Sequence, residues 1–161
     1  MVELISFYIL AVIAVISALL VVTLKNLVHA VLSLALFFFC VAGFYVLLNA
    51  EFLAAVQVFV YVGGITVLFL FLIMLTFKVA DKRLRQVNEQ WTISLIIVVL
   101  FGWLLITGLS ETNWVVTEGG APEKAIPAIG KLLLTTYVFP FEVVSVVLLA
   151  ALIGAMVIAR K

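Results

Sequence analysis

The sequence predicts an all-α membrane protein with five transmembrane helices, with the N-terminus outside the cell and the C-terminus in the cytoplasm. Of its 161 residues, 68% are hydrophobic and 11% are charged, whereas soluble domains have about 45–50% apolar and about 25% charged residues. Long runs without a charge recur along the chain, and the run 52–77 alone has 26 residues. As an α-helix it would be about 39 Å long, enough to cross a hydrocarbon core of about 30 Å.

This third run also contains a pattern that is typical of a β-hairpin. In QVFVYVGGITVLF (57–69), a Gly-Gly pair stands between two β-branched and aromatic segments. An open hairpin would leave backbone groups without hydrogen-bond partners in lipid, where water cannot satisfy them. A transmembrane helix over 52–77 is therefore predicted.

The remaining runs complete a single membrane domain over 1–161. The other four predicted spans cover 4–24, 27–48, 91–109 and 139–159. Pro140 sets the start of the last span, because proline fits the first turn of a helix and disrupts its interior. The outer loop 110–138 is expected to carry a short helix over 126–137 that lies at the membrane interface.

The distribution of cations predicts the orientation. Seven of the nine cations fall on one side of the membrane if the N-terminus is outside: Lys25, Lys78, Lys82, Arg83, Arg85, Arg160 and Lys161. The other side has only Lys124 and Lys131. Because positively charged loops stay in the cytoplasm, the N-terminus is expected outside. The odd number of spans argues against a stand-alone transporter built from inverted repeats.

The sequence offers no catalytic, metal-binding or cofactor-binding residue set. Cys40 is the single cysteine and His29 the single histidine, so ligand sets for zinc, haem or an iron–sulfur cluster are not expected within the chain. Gly63-Gly64 lacks the third glycine of a dinucleotide-binding fingerprint and the strand that precedes it. The chain alone is not expected to bind NADH, carry electrons or bind nucleic acid.

The third span contains the most informative polar and small residues. Gln57, Tyr61 and Gly64 share one face of an α-helix, and the Gln57 amide reaches the Tyr61 hydroxyl only if both rotamers cooperate. Gly63 and Gly64 lie near the predicted bilayer midplane. Either they allow a neighbouring helix to approach closely, or they mark a change of winding such as a π-bulge. On the residues alone, packing is the favoured interpretation.

Three further residues are candidates for a proton path or a subunit contact. Glu142 follows Pro140 in what is expected to be the first helical turn, where the helix dipole favours a carboxylate by about 0.3–1 kcal/mol. Glu51 begins the third span, and a solvated helix end is its simplest interpretation. His29 lies one turn after Lys25, where a lone histidine is usually an interfacial polar residue. Each also allows a role in proton transfer.

Three segments resemble subunit J of bacterial NADH:quinone oxidoreductase, or complex I, whose mitochondrial counterpart is NADH dehydrogenase subunit 6. NLVHAVLSL (26–34) resembles the family's Asn-Pro-Val-His-Ala stretch, and YVFPFEVVSVVLLAALIGA (137–155) resembles its last helix. EFLAAVQVFVYVGGITVLFLFLIML (51–75) resembles its third helix. The family pattern there is Tyr, one residue, then Gly-Ala-Ile before Val-Leu-Phe, which is matched by Tyr61, Gly63, Gly64, Ile65, Val67, Leu68 and Phe69.

The resemblance implies a subunit of a proton-translocating membrane arm, in the inner membrane of a bacterial cell, that couples quinone reduction to proton pumping. NADH, FMN, iron–sulfur clusters and quinone would be bound by other subunits. The partners would be membrane-arm subunits, including the quinone-site subunit and small antiporter-like subunits. In that family the third helix is either regular or π-bulged, and the change gates a water path. This implies conformational coupling through Gln57, Tyr61, Gly63 and Gly64.

The chain departs from the family pattern at three positions. Gly64 replaces an alanine, Leu27 replaces a proline, and Gln57 stands where some bacterial members have a glutamate, which argues against direct proton transfer at that position. Alternative functions are a related subunit of an energy-converting hydrogenase, a cation/proton antiporter complex or a ferredoxin-dependent photosynthetic complex. A small stand-alone transporter is a further alternative.

Overall fold

The computed structural model describes residues 1–76, 91–112 and 125–160, and over these residues it contains helices and no strand. Five helices are long and apolar enough to cross a membrane, which confirms the predicted fold class. The side of the membrane on which each terminus lies stays a prediction. Six of the nine cations behind it lie outside the described residues: Lys78, Lys82, Arg83, Arg85, Lys124 and Lys161.

The first two spans are α1 (Val2–Thr23) and α2 (Leu27–Leu47). The third span, Glu51–Thr76, consists of three consecutive pieces. These are α3 (Glu51–Val56), a π-helical segment (Gln57–Ile65) and α4 (Thr66–Thr76). The fourth span is α5 (Trp91–Glu111), and the short helix α6 (Ala125–Leu134) precedes the last span, α7 (Val138–Ala159).

Small residues bring α1 and α2 into close contact. Ala14 and Ser17 of α1 and Ala42 of α2 are buried. At Gly43 a Cβ atom would lie 2.9 Å from the Leu10 Cδ1 atom, which is closer than side chains normally approach. Gly43 therefore allows Leu10 of α1 to pack directly against the backbone of α2. This is the packing role that glycine has between membrane helices.

A tight turn joins α2 to the third span. Asn49 has a φ of 56°, in the left-handed region that asparagine tolerates at the end of a helix. Its N–H donates to the Val46 carbonyl at 3.0 Å, and the Ala50 N–H donates to the Tyr45 carbonyl at 2.9 Å. This is the hydrogen-bond pattern of a Schellman motif. It fixes the direction in which the third span leaves α2.

The described helices other than α5 form two packed groups. The third span packs against α2, which also packs against α1, and separately α6 packs against α7. No residue of α5 or α7 is buried, so the described part of the chain leaves the apolar surfaces of these two helices uncovered. The predicted short helix is observed as α6 and ends at Leu134, because the chain then turns and the Tyr137 N–H donates to the Leu132 carbonyl at 2.8 Å. Its position at the membrane interface stays a prediction.

Candidate functional site: a π-helical segment in the third span

The π-helical segment contains all four residues for which coupling is predicted: Gln57, Tyr61, Gly63 and Gly64. At its end the Thr66 N–H donates to the Tyr61 carbonyl, five residues earlier. Most π-helical stretches are single-turn bulges, whereas this segment has nine residues. The structure thus contains a change of winding, which was one of the two interpretations of the glycine pair.

The winding decides which residues face α2. In the third span the buried residues are Ala54, Gln57 and Thr66. Nine residues separate Gln57 from Thr66, which would be about 2.5 turns of an α-helix and would put the two side chains on opposite sides. With i→i+5 bonding a turn takes about 4.4 residues, so the same nine residues make about two turns. The π-helical segment therefore brings both polar side chains to the side that packs on α2.

Gln57 and Tyr61 both contact Phe38 of α2. Gln57 is only 7% exposed, and its Nε2 atom donates to the Phe38 carbonyl at 3.5 Å, the long end of a hydrogen bond. The Gln57 amide is thus directed at α2 and not at the Tyr61 hydroxyl. The Tyr61 ring meets the Phe38 ring edge-on, with 5.4 Å between centroids. Because Tyr61 is also 41% exposed, it can contact a neighbour outside this chain.

Thr66 directly follows the π-helical segment, and it was not predicted from the sequence as a residue of this site. Its Oγ1 atom donates to the Tyr61 carbonyl at 2.8 Å, so this carbonyl accepts both the hydroxyl and the backbone N–H of Thr66. Elsewhere the hydroxyls of Ser17 and Thr76 bond in the usual way to the carbonyl four residues earlier. The five-residue spacing is thus a local mark of π winding. A threonine two residues after a glycine pair was the available signal in the sequence.

The glycine pair makes no close contact with another helix in the described part of the chain. A Cβ atom on Gly63 would have the Val58 carbonyl as its nearest neighbour, at 3.5 Å, and one on Gly64 would have the Phe59 carbonyl, at 3.9 Å. Both distances are ordinary van der Waals contacts within the same span. Close packing within the described part of this chain therefore does not explain Gly63 and Gly64. It does explain Gly43, which the sequence analysis did not single out.

The three acid and base candidates lie at separate places. Because α7 begins at Val138, Glu142 lies beyond the first turn, and the prediction that it stands in that turn is wrong. The helix dipole acts mainly within the first turn, so the dipole explanation for Glu142 is lost. Glu51 is the first residue of α3, and His29 lies in the first turn of α2, so the length of α2 separates them.

The chain is similar over nearly its whole length to subunits of NAD(P)H-quinone oxidoreductases and of an F(420)H(2) dehydrogenase. It is 42% identical to F(420)H(2) dehydrogenase subunit J of Methanosarcina mazei over 96% of this chain and 89% of that protein. It is 41% identical to NAD(P)H-quinone oxidoreductase chain 6 of Synechocystis sp. over 99% of this chain and 82% of that protein. Identity to the chloroplastic NAD(P)H-quinone oxidoreductase subunit 6 of Physcomitrium patens is 41%, over 98% of this chain and 84% of that protein.

The resemblance seen in the sequence is thereby confirmed. Residues 17–158 match the family described as NADH-ubiquinone/plastoquinone oxidoreductase chain 6. That range includes α2, the whole third span and nearly all of α7. The chain therefore belongs to the NADH-ubiquinone/plastoquinone oxidoreductase chain 6 family.

Proposed function

We propose that this chain is a membrane-arm subunit of a proton-translocating quinone oxidoreductase, and that the winding of its third span couples quinone reduction to proton movement. Family membership supports the first part. The observation that carries the second part is the π-helical segment Gln57–Ile65, in which the four predicted coupling residues lie.

The composition of the segment suits a change of winding. A π-helix is the less common winding, so the regular α-helix is the natural second state. Glycine inside a helix costs about 0.5–1 kcal/mol relative to alanine and weakens the regular winding. Gly63 and Gly64 lie side by side near the end of the segment. Two windings that differ by a few kcal/mol can exchange when a partner binds one of them better.

The redox chemistry belongs to other subunits in this proposal. NADH, FMN, iron–sulfur clusters and quinone would be bound elsewhere in the complex, and this chain would contact the quinone-site subunit and the small antiporter-like subunits. The exposed surfaces of α5 and α7 suit such contacts. The complex would lie in the inner membrane of a bacterial cell. The relatives named for F(420)H(2) and for NAD(P)H are about equally similar to this chain, so another subunit would determine the electron donor.

Valine substitutions at Gly63 and Gly64 test the coupling role. Each adds branched carbons next to a backbone carbonyl that already lies within 4 Å of the Cβ position. We expect oxidation of the electron donor by a soluble acceptor to stay at the wild-type rate, while quinone-linked activity and proton pumping fall. Gly102→Val is the matched control, because a Cβ atom at this mid-span glycine of α5 has none of the described residues within 4 Å. Wild-type pumping in both assembled variants would refute the coupling role.

Purification under mild detergent tests membership of the complex. A tagged chain is expected to bring down flavin and iron–sulfur proteins together with other membrane subunits. A homo-oligomer without redox proteins would support the alternative of a stand-alone transporter and refute the proposed function.

A further inference from the structure

The short helix α6 separates its apolar and polar residues more clearly than any of the five spans. Ile126, Ile129 and Leu133 follow one another at spacings of three and four residues, so they share one face of the helix. Lys131 is the single charged residue of α6, and at about 100° per residue it lies about 140–160° from each of these three. Among the isoleucines and leucines of α6 only Leu134, the last residue, lies on the side of Lys131. The helix thus has an apolar face opposite its one cation.

This apolar face is uncovered in the described part of the chain. Ile126 is 61% exposed and Leu133 is 39% exposed, while Ile129 is half-buried. The helix α6 contacts α7, yet every residue of α7 is exposed. The contact is therefore limited to the region of the turn that joins the two helices, and α6 does not lie along α7. Removing the apolar face from water would be favourable.

The length of α7 indicates the depth at which α6 lies. With 22 residues, α7 is about 33 Å long, which matches a hydrocarbon core of about 30 Å. Its first residue, Val138, therefore lies near one edge of the core. Residues 135–137 connect it to α6, and the hydrogen bond from the Tyr137 N–H to the Leu132 carbonyl closes this turn. Since α6 has ten residues, or about 15 Å, it is too short to cross the core itself.

We propose that α6 is a lipid-binding helix. Its apolar face enters the acyl chains of the leaflet at which α7 begins, and Lys131 on the opposite side contacts anionic lipid headgroups. Lipid suits this face because it continues the uncovered apolar surface of α7 at the edge of the core, and because a cation opposite an apolar face is typical of helices that lie in the membrane interface. The inference goes beyond the proposed function, since it applies to any membrane complex that contains this chain.

A lipid-bound α6 would fix the depth of α7. Because the turn between the two helices is short, α7 could move along the membrane normal only if the apolar face of α6 left the acyl chains. Glu142 is four residues, or about 6 Å, beyond Val138 along α7. Its carboxylate would thus stay close to the headgroup layer, within reach of water.

Photo-crosslinking in the assembled complex tests which neighbour covers α6. A benzophenone amino acid is introduced at position 126 or 133, on the apolar face, and at position 127 as the matched control, since Pro127 lies on the side of Lys131. After illumination of membranes, mass spectrometry of the chain distinguishes lipid adducts from cross-links to protein. We expect lipid adducts at positions 126 and 133 and several-fold fewer at position 127.

Three other outcomes would overturn the inference. Cross-links from the apolar face to another subunit would show that protein covers it, and the absence of any adduct would show that it faces water. Equal lipid adducts at all three positions would show that α6 is surrounded by lipid and does not lie in the interface. If the variant at position 126 fails to assemble, position 133 decides.

Variants of Lys131 test the headgroup contact in membranes reconstituted from phosphatidylglycerol and phosphatidylcholine. Adducts at position 133 should favour the anionic lipid about fivefold over its share of the bilayer, the effect of a single cation near an anionic surface. Lys131→Gln should remove this preference, and Lys131→Arg should keep it. An unchanged preference in Lys131→Gln would overturn the role of Lys131. None of these results depends on the redox partners, which the purification experiment tests separately.

Discussion

Substitution of Gly43 should reveal how far the close contact between α1 and α2 restricts the size of the side chain at this position. A Cβ atom at this position would lie 2.9 Å from the Cδ1 atom and 3.0 Å from the Cδ2 atom of Leu10. Both are terminal atoms of a flexible side chain, so Leu10 can move, at a typical overpacking cost of about 1–3 kcal/mol. Alanine in a helix recovers about 1 kcal/mol relative to glycine. Gly43→Ala should therefore be nearly neutral, whereas Gly43→Val should destabilise the helix pair by about 2 kcal/mol, because it adds two more carbons and has a lower helix propensity.

The assay for this prediction compares the amount of assembled complex and the temperature at which quinone-linked activity is lost in membranes. Gly43→Val should lower both, and Gly43→Ala should change neither by much. Combining Gly43→Val with Leu10→Ala removes the side chain that the valine meets, so the double variant should be more stable than the two single effects predict. Wild-type assembly and thermal inactivation of Gly43→Val would refute the close approach, as would strictly additive effects in the double variant.

Two further predictions concern topology and a carboxylate. Cysteines introduced at positions 113–120 should react with a membrane-impermeant reagent added from outside, and cysteines at positions 82–86 should not. Both ranges lie outside the described residues. The reverse labelling pattern would refute the predicted orientation with the N-terminus outside. Glu142→Gln should assemble and retain quinone-linked activity within about tenfold of the wild type, a barrier change of no more than about 1.4 kcal/mol. An assembled but inactive Glu142→Gln complex would instead make the carboxylate essential.

The spans of this protein could be predicted from the sequence because the bilayer imposes one dominant requirement. A segment in hydrocarbon must be apolar and must satisfy its own backbone hydrogen bonds, so uncharged runs such as 52–77 could be assigned as helices without knowledge of their neighbours. The family could be recognised from local residue order, as in Tyr61-Val62-Gly63-Gly64-Ile65. Neither inference needed a contact between distant residues.

The structure was needed for features that depend on how one helix packs on another. Hydrogen-bond register is such a feature, because the same residues can donate to the carbonyl four or five residues earlier, and at Thr66 the structure shows the five-residue bond. A helical wheel at 3.6 residues per turn put Gly64 beside Gln57, and the structure puts Thr66 there. The acceptor of the Gln57 amide, the Phe38 carbonyl, belongs to another helix.

Glycine shows the same division between sequence and structure. The adjacent pair Gly63-Gly64 was conspicuous in the sequence and suggested packing, yet among the described glycines the close approach between helices lies at Gly43. A glycine allows close packing only where a neighbouring helix lies next to it. The contact of Leu10 of α1 with Gly43 depends on the tertiary structure. The sequence by itself therefore determined which segments enter the membrane as helices. Only the tertiary structure showed the winding of the third span and which small residues serve as contacts, because a contact exists only where a neighbouring helix lies.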